Sequence, residues 1–207
     1  MKLDIRFMQH VSTYGKSYIT IEEFTARKAN FAETDARIEE HNASDSLYRM
    51  GHNKFSDMTE YERKQRRGFK QNPNGDSLAE EFLLDDTNSP DSWDWRHHNA
   101  VTKVKDQGNC GACWTFSATG ALEGAHAIKS GKLVAFSEQE IVDCQKEDDG
   151  CKGGDEVDAF DYFKKHYIMT EDAYPYKAKD QKCKYEKKKA TNVETKSVHK
   201  VNGKDPE

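Results

Sequence analysis

The stretch QGNCGACWTFS, Gln107–Ser117, sets two cysteines around a Gly-Ala pair, immediately ahead of a tryptophan and a run with helical spacing. Residues 113–129 place Trp114, Ala118, Ala121, Leu122, Ala125 and Ile128 at helical intervals, with Gly131 as a stop, so Cys113 falls at a helix N-terminus. A thiol is a nucleophile only as thiolate, and the partial positive charge of a helix N-terminus favours that form. Six residues upstream, Gln107 offers a side-chain amide that, with the Cys113 N–H, can stabilise the oxyanion of an acyl-transfer intermediate. The competing reading of Cys110 and Cys113 is a C-x-x-C redox or zinc pair. No thioredoxin-like strand precedes it, and Cys144 and Cys151 lack a second C-x-x-C spacing.

The 207 residues carry a net charge of -5, divided almost evenly along the chain, which points to neither nucleic acid nor an anionic membrane as partner. Leu, Ile, Val and Phe total only 33, fewer than normally support a packed core, so covalent help is expected. Five cysteines between Cys110 and Cys183 allow two disulfides and leave one thiol. A bridge closing about 40 residues stabilises by roughly 4 kcal/mol in the chain-entropy model, and it implies an oxidising compartment. The N-terminus MKLDIRFMQHVSTYGKSY shows no apolar run of signal-peptide length.

Residues 20–42 open with Thr20 and Glu23 in capping-box spacing and set Phe24, Phe31 and Ile38 seven apart, which predicts an amphipathic helix. The charged run TEYERKQRRGFK predicts another short helix, and residues 71–90, rich in Asn, Asp, Ser and Pro, read as a linker with a boundary near Ser89. Short helices are expected from Ser137, capped with Glu140, and from Asp155 to His166 with Val157, Phe160 and Phe163 inward. Val193, Val198 and Val201 suggest a strand or two with little to pair against, and Lys187–Lys189 a solvated loop. Trp93, Trp95 and Trp114 are expected to pack; His166 and His199 are expected at the surface.

CGACW matches the C-G-[SA]-C-[WY] signature around the papain and cathepsin nucleophile. DWRHHNAVTKVKDQGNCGACWTFS, FSEQEIVDC, GCKGGDEVDAF and EDAYPY resemble successive blocks of the papain family in the correct order. Upstream, Glu23, Arg27, Phe31, Ile38 and Asn42 resemble the helical motif of the family's inhibitory propeptide, with Thr34 where asparagine is usual. Gly51, Asn53, Phe55 and Asp57 resemble its second motif. The resemblance implies an α+β fold: a helical propeptide domain (1–70), a linker to the cleavage region (71–88), and the mostly helical left half of a papain-like peptidase (89–207) with only the start of the β-barrel half.

The resemblance further implies that Cys113 is the nucleophile of a cysteine endopeptidase zymogen and Gln107 the oxyanion-hole glutamine. It pairs Cys110 with Cys151 and Cys144 with Cys183. The propeptide would cross the cleft in the reverse of the substrate direction until acid loosens it. Gly153 and Gly154 would hydrogen-bond an extended substrate, with Asp155 and Glu156 at the pocket for the second residue before the scissile bond, where the family is usually apolar. That exchange suggests tolerance of basic side chains; the alternative is plain charge complementarity at a helix N-terminus. Protein or peptide substrates and the chain's own propeptide are the expected partners, with no cofactor, no metal, no nucleic acid and no membrane, for a monomer that is lysosomal, vacuolar or secreted. The general-base His and its orienting Asn are expected about 130–150 residues after the cysteine, beyond Glu207, which would leave this chain nearly inert. The alternative function is a non-catalytic inhibitor or binder of related proteases.

Overall fold

The computed structural model describes residues 2–75, 80–82 and 90–201. It divides into two compact units, Met1–Lys64 and Gln65–Glu207.

In the first unit, helix α1 spans Lys2–Thr13, a segment for which the sequence reading offered no element, and α2 spans Ile21–Ala43. Thr20 caps α2 by accepting from Glu23 N at 3.1 Å, while Glu23 Oε2 accepts from Ile19 N at 3.0 Å, so two otherwise orphaned donors are satisfied. α1 packs on α2 through Phe7, whose ring lies 5.3 Å from Phe24 and 5.4 Å from Phe31. Phe31 and Ile38 are buried and Phe24 is half-buried. Helix α3, Glu60–Gln65, is docked by Arg27, which donates to both oxygens of Glu62 at 2.5 and 2.7 Å. Thr34 accepts from Arg63 at 3.4 Å. Asn42 clamps Met50 through two 2.8 Å bonds, and Asn53 Oδ1 accepts from Phe55 N at 2.9 Å.

The hub of this unit is the buried carboxylate of Asp57, which accepts from Lys16 at 2.9 Å and Tyr18 at 2.8 Å. Burial alone would push its pKa up, but Lys16 and Tyr18 hold it below the ordinary range. His10, also buried, lies 3.3 Å from the same carboxylate, yet neither ring nitrogen makes a well-formed hydrogen bond. Gly51 is the exception among the motif residues: a Cβ there would meet nothing within 4 Å.

The second unit is built on helix α4, Cys113–Ser130, ended by Gly131 in the left-handed region, with α5 (Glu138–Cys144) and α6 (Glu156–Lys165) packed on it. Their core is Trp114, Ala118, Phe136, Ile141, Ala159, Phe163 and Ile168. Phe160 packs against that core half-buried and Val157 is half-buried. Ala121, Ala125 and Ile128 are exposed, because α4 turns Glu123 inward instead. Glu123 accepts from Thr102, Lys105 and Phe136 N at 2.6–2.9 Å, and Lys105 also binds Glu138 at 2.6 Å, so one cation holds two buried carboxylates. Ser137 caps α5 by accepting from Glu140 N, and Asp155 caps α6 by accepting from Val157 N.

Disulfides join Cys110 to Cys151 and Cys144 to Cys183, leaving Cys113 as the free cysteine. Strand β1, Glu80–Phe82, falls inside the stretch read as linker and pairs in parallel with β2, His199–Val201. Among the described residues the unit's other regular elements are helices and short 3-10 turns, joined by long irregular segments. Trp114 is buried, but Trp93 and Trp95 are about half-exposed, because they meet edge to face with each other, and Trp93 stacks on His98, rather than packing on the core. Lys187–Lys189 forms a short, exposed 3-10 turn.

Candidate active site

The tip of α4 is fixed by its surroundings. Gly111 N donates to Cys151 O at 2.8 Å beside the Cys110–Cys151 bridge, and Trp114 Nε1 donates to Gly150 O at 3.1 Å. Gly108 turns with φ +61°, its N–H donating to Asp106 at 3.0 Å. The turn presents Gln107, whose own carbonyl accepts from Tyr176 at 2.8 Å. Burial raises the Tyr176 pKa, so it stays a neutral donor. Cys113, half-buried, begins α4 with no side-chain cap ahead of it.

A strap formed by residues 66–72 crosses this site. Gly68 N donates to Cys113 Sγ at 3.2 Å, and Gln107 Nε2 donates to Arg66 O at 2.8 Å and to Cys110 O at 2.7 Å. Gly154 exchanges both backbone bonds with the strap: its N–H donates to Gly68 O at 2.8 Å, and its carbonyl accepts from Lys70 N at 3.0 Å. Phe69 stands opposite Gly154 in a parallel bridge. The approach depends on absent side chains. A Cβ on Gly68 would lie 1.7 Å from Gly111 O, and one on Gly153, at φ +118°, 2.4 Å from Gly68 O.

Beyond Gly154 the strap meets acids. Lys70 Nζ donates to Asp149 at 2.6 Å, Asn72 N to Asp155 Oδ2 at 2.7 Å, and Asn72 Nδ2 to Asp158 at 2.6 Å. Asp148 accepts from Asp155 N at 3.3 Å; burial, with Asp158, Asp155 and Asp149 adding repulsion, raises its pKa to about 7. Burial likewise raises Asp158.

Of the residues singled out from sequence, Cys113, Gln107, Gly153 and Gly154 meet on this one surface. Asp155 is committed to capping α6 with one oxygen and to the strap with the other. Glu156 lines a cavity of about 310 Å³ with Val157, Phe160 and Val198. The histidines after Cys113 bond elsewhere: His126 to Ser130, His166 to Tyr162 O with its ring stacked on Tyr162, and His199, at the surface, to Ser197. His166 is half-buried through that stacking rather than fully at the surface. Sequence reading missed Gly68, Lys70 and Asn72. The lone glycine interrupting the charged run RRGFK was the available signal for a close backbone approach.

Residues 89–207 match the model for the papain family cysteine protease, and residues 7–63 match the cathepsin propeptide inhibitor domain (I29). Cysteine proteinase 1 of Zea mays is 40% identical, with 91% of this chain and 56% of the relative covered; pro-cathepsin H of Bos taurus is 42% identical, with 88% and 54% covered. Among solved structures, digestive procathepsin L2 proteinase from Tenebrio molitor larval midgut superposes with a TM-score of 0.86 at 33% identity, covering 93% of this chain and 65% of that one. Digestive procathepsin L 3 from the same source gives 0.79 at 35%, covering 95% and 64%. The chain spans about half the length of the curated relatives it matches. With a peptidase model over its second part and an inhibitor model over its first, this chain belongs to the papain family of cysteine proteases.

Proposed function

We propose that the protein is the zymogen of a papain-like cysteine endopeptidase, with residues 1–70 as inhibitory propeptide, 71–88 as the segment leading to the cleavage region, and 89–207 as peptidase. The observation that carries this reading is the free thiol of Cys113 at the start of α4, covered by a backbone amide of the same chain and flanked by the Gln107 amide. The strap offers Sγ an N–H where a substrate must offer a carbonyl carbon, and its parallel run along Gly154 is the sense that supports blockade rather than cleavage.

In the released enzyme the Cys113 thiolate attacks the substrate carbonyl carbon. The oxygen that becomes anionic takes donors from Gln107 Nε2, then free of Arg66 O, and from the Cys113 N–H. The amine leaves with a proton, and water hydrolyses the thioester to return the thiol. Gly154 holds the substrate backbone through the two bonds it now makes with the strap. The proton acceptor on this reading is a histidine about 130–150 residues beyond Cys113, oriented by an asparagine, outside residues 1–207. Two disulfides support a lysosomal, vacuolar or secreted setting.

The test is an activity-directed peptidyl acyloxymethyl ketone, added to acid-processed protein expressed through the downstream histidine and asparagine, and located by mass spectrometry. Attachment at Cys113, lost in Cys113→Ser, is expected. An unmodified Cys113 after strap removal overturns the reading.

A further inference from the structure

The strap also reports what the cleft wall binds, and resting on the proposed function, that information extends to substrates. Gly154 bonds the two strap residues that flank Phe69, Gly68 and Lys70, whereas a substrate running the opposite way makes both bonds from one residue; in either sense one residue faces Gly154, and in the strap it is Phe69. In an extended segment the next residue projects its side chain to the opposite face. On the side away from Cys113 that next residue is Lys70, and its ammonium donates to Asp149 at 2.6 Å. Lys70 holds the Asp149 carboxyl below the usual carboxylate range, with Lys152 adding a smaller attraction. Asp149 has no helix to cap: it precedes the short turn Gly150–Lys152 without any side-chain hydrogen bond to that turn. Asp155, by contrast, is already used by α6.

We infer that Asp149 is a specificity-determining residue that selects a lysine or arginine at the third residue before the scissile bond, the place that Lys70 fills in the inhibited chain. The pair is exposed on both sides, so the selection is modest: exposed ion pairs of this kind change an equilibrium by roughly two- to fivefold. The carboxylate is the selecting element because losing the strap removes its cation while leaving the wall that positions it, the Gly150–Lys152 turn and the Cys110–Cys151 bridge.

The experiment uses activated protein expressed through the downstream histidine and asparagine, with three peptide substrates that differ only at that third residue, as Lys, Ala or Glu. The expected order in kcat/KM is Lys over Ala over Glu, with steps of roughly two- to fivefold that shrink in high salt. Asp149→Asn should flatten the series and Asp149→Lys should invert it. Equal rates for Lys and Ala, or a lysine preference that survives Asp149→Asn, overturn the inference while leaving the proposed peptidase activity standing. If none of the three peptides is cut, the peptidase reading fails, and the cation seat is decided on the unprocessed chain by alkylation of Cys113. Lys70→Glu should then speed alkylation roughly two- to fivefold, and Lys70→Glu with Asp149→Lys should restore the slow rate. An unchanged rate in Lys70→Glu, or no rescue by the charge swap, overturns the seat itself.

Discussion

Replacing Gly68 by alanine should uncover Cys113. The added Cβ would lie 1.7 Å from Gly111 O and 2.4 Å from Gly111 C, and both are backbone atoms pinned by the bond from Gly111 N to Cys151 O. The strap must therefore retreat. Gly68 makes two of its bonds, to Cys113 Sγ and from Gly154 N; Lys70 N to Gly154 O and Gln107 to Arg66 O each sit two residues away. At about 1 kcal/mol each, losing two to four of them costs ~2–4 kcal/mol, or roughly a 30- to 700-fold rise in the time the thiol is open. Because four of the five cysteines are in disulfides, the rate of iodoacetamide incorporation reads this directly, without requiring catalysis. Gly51→Ala is the control, since a Cβ at that position meets nothing. Alkylation of Gly68→Ala within twofold of the parent would refute the steric argument, provided the tryptophan fluorescence melt is unchanged.

Two further substitutions test the buried charges. Among the described residues no cation pairs with Glu140; burial raises its pKa to about 7, while Met169 N at 2.7 Å and Tyr162 at 3.3 Å supply only partial relief. A folded pKa above the unfolded 4.5 means stability is lost as pH rises from 4.5 to 7, by about 3 kcal/mol, and Glu140→Gln should remove that slope from urea melts followed by tryptophan fluorescence. His10 has the opposite sign: burial depresses its pKa below 6.5, so the first unit loses stability as pH falls from 6.5 toward the folded value. His10→Phe, set among Phe7, Phe31 and Tyr14, should flatten that decline in far-UV circular dichroism melts.

The parts of the fold legible in the sequence are those fixed by local chemistry. Thr20 with Glu23, Ser137 with Glu140 and the α6 start at Asp155 each announce a helix because a side-chain oxygen three or fewer residues away satisfies an orphan N–H. The buried stripe of α4 was only partly legible. Glu123 lies inside and Ala121 outside, since Lys105, eighteen residues upstream, neutralises the glutamate, and no helical period encodes such a partner. Helix α1 was hidden for a similar reason: Phe7 and His10 are its buried residues, too few for a stripe without α2 beside them. The strap was least legible. Its bonds to the site span 40 to 86 positions, and only a glycine in a charged run betrays it.

Acid then acts on the two units with opposite signs. In the first unit, Glu62 is held near pKa 2, foremost by Arg27, and Asp57 is depressed by Lys16 and Tyr18 against its burial; both contribute stability that is present above their unfolded values and lost as pH falls through the folded ones. His10 begins the loss earlier, below 6.5. In the second unit the dominant shifts run upward, with Glu140 and Asp148 both near 7 and Asp158 and Glu171 raised, all with burial as the leading cause. Protonating these groups removes charge that the fold holds at a cost. Between pH 6.5 and 4.5 the unit of residues 1–64 therefore weakens while the unit carrying Cys113 gains. The sequence keeps these responses separable, because all three tryptophans, at 93, 95 and 114, lie in the second unit. Acid therefore weakens residues 1–64 and strengthens residues 65–207, and the difference follows from where this chain buries its carboxylates and where it pairs them.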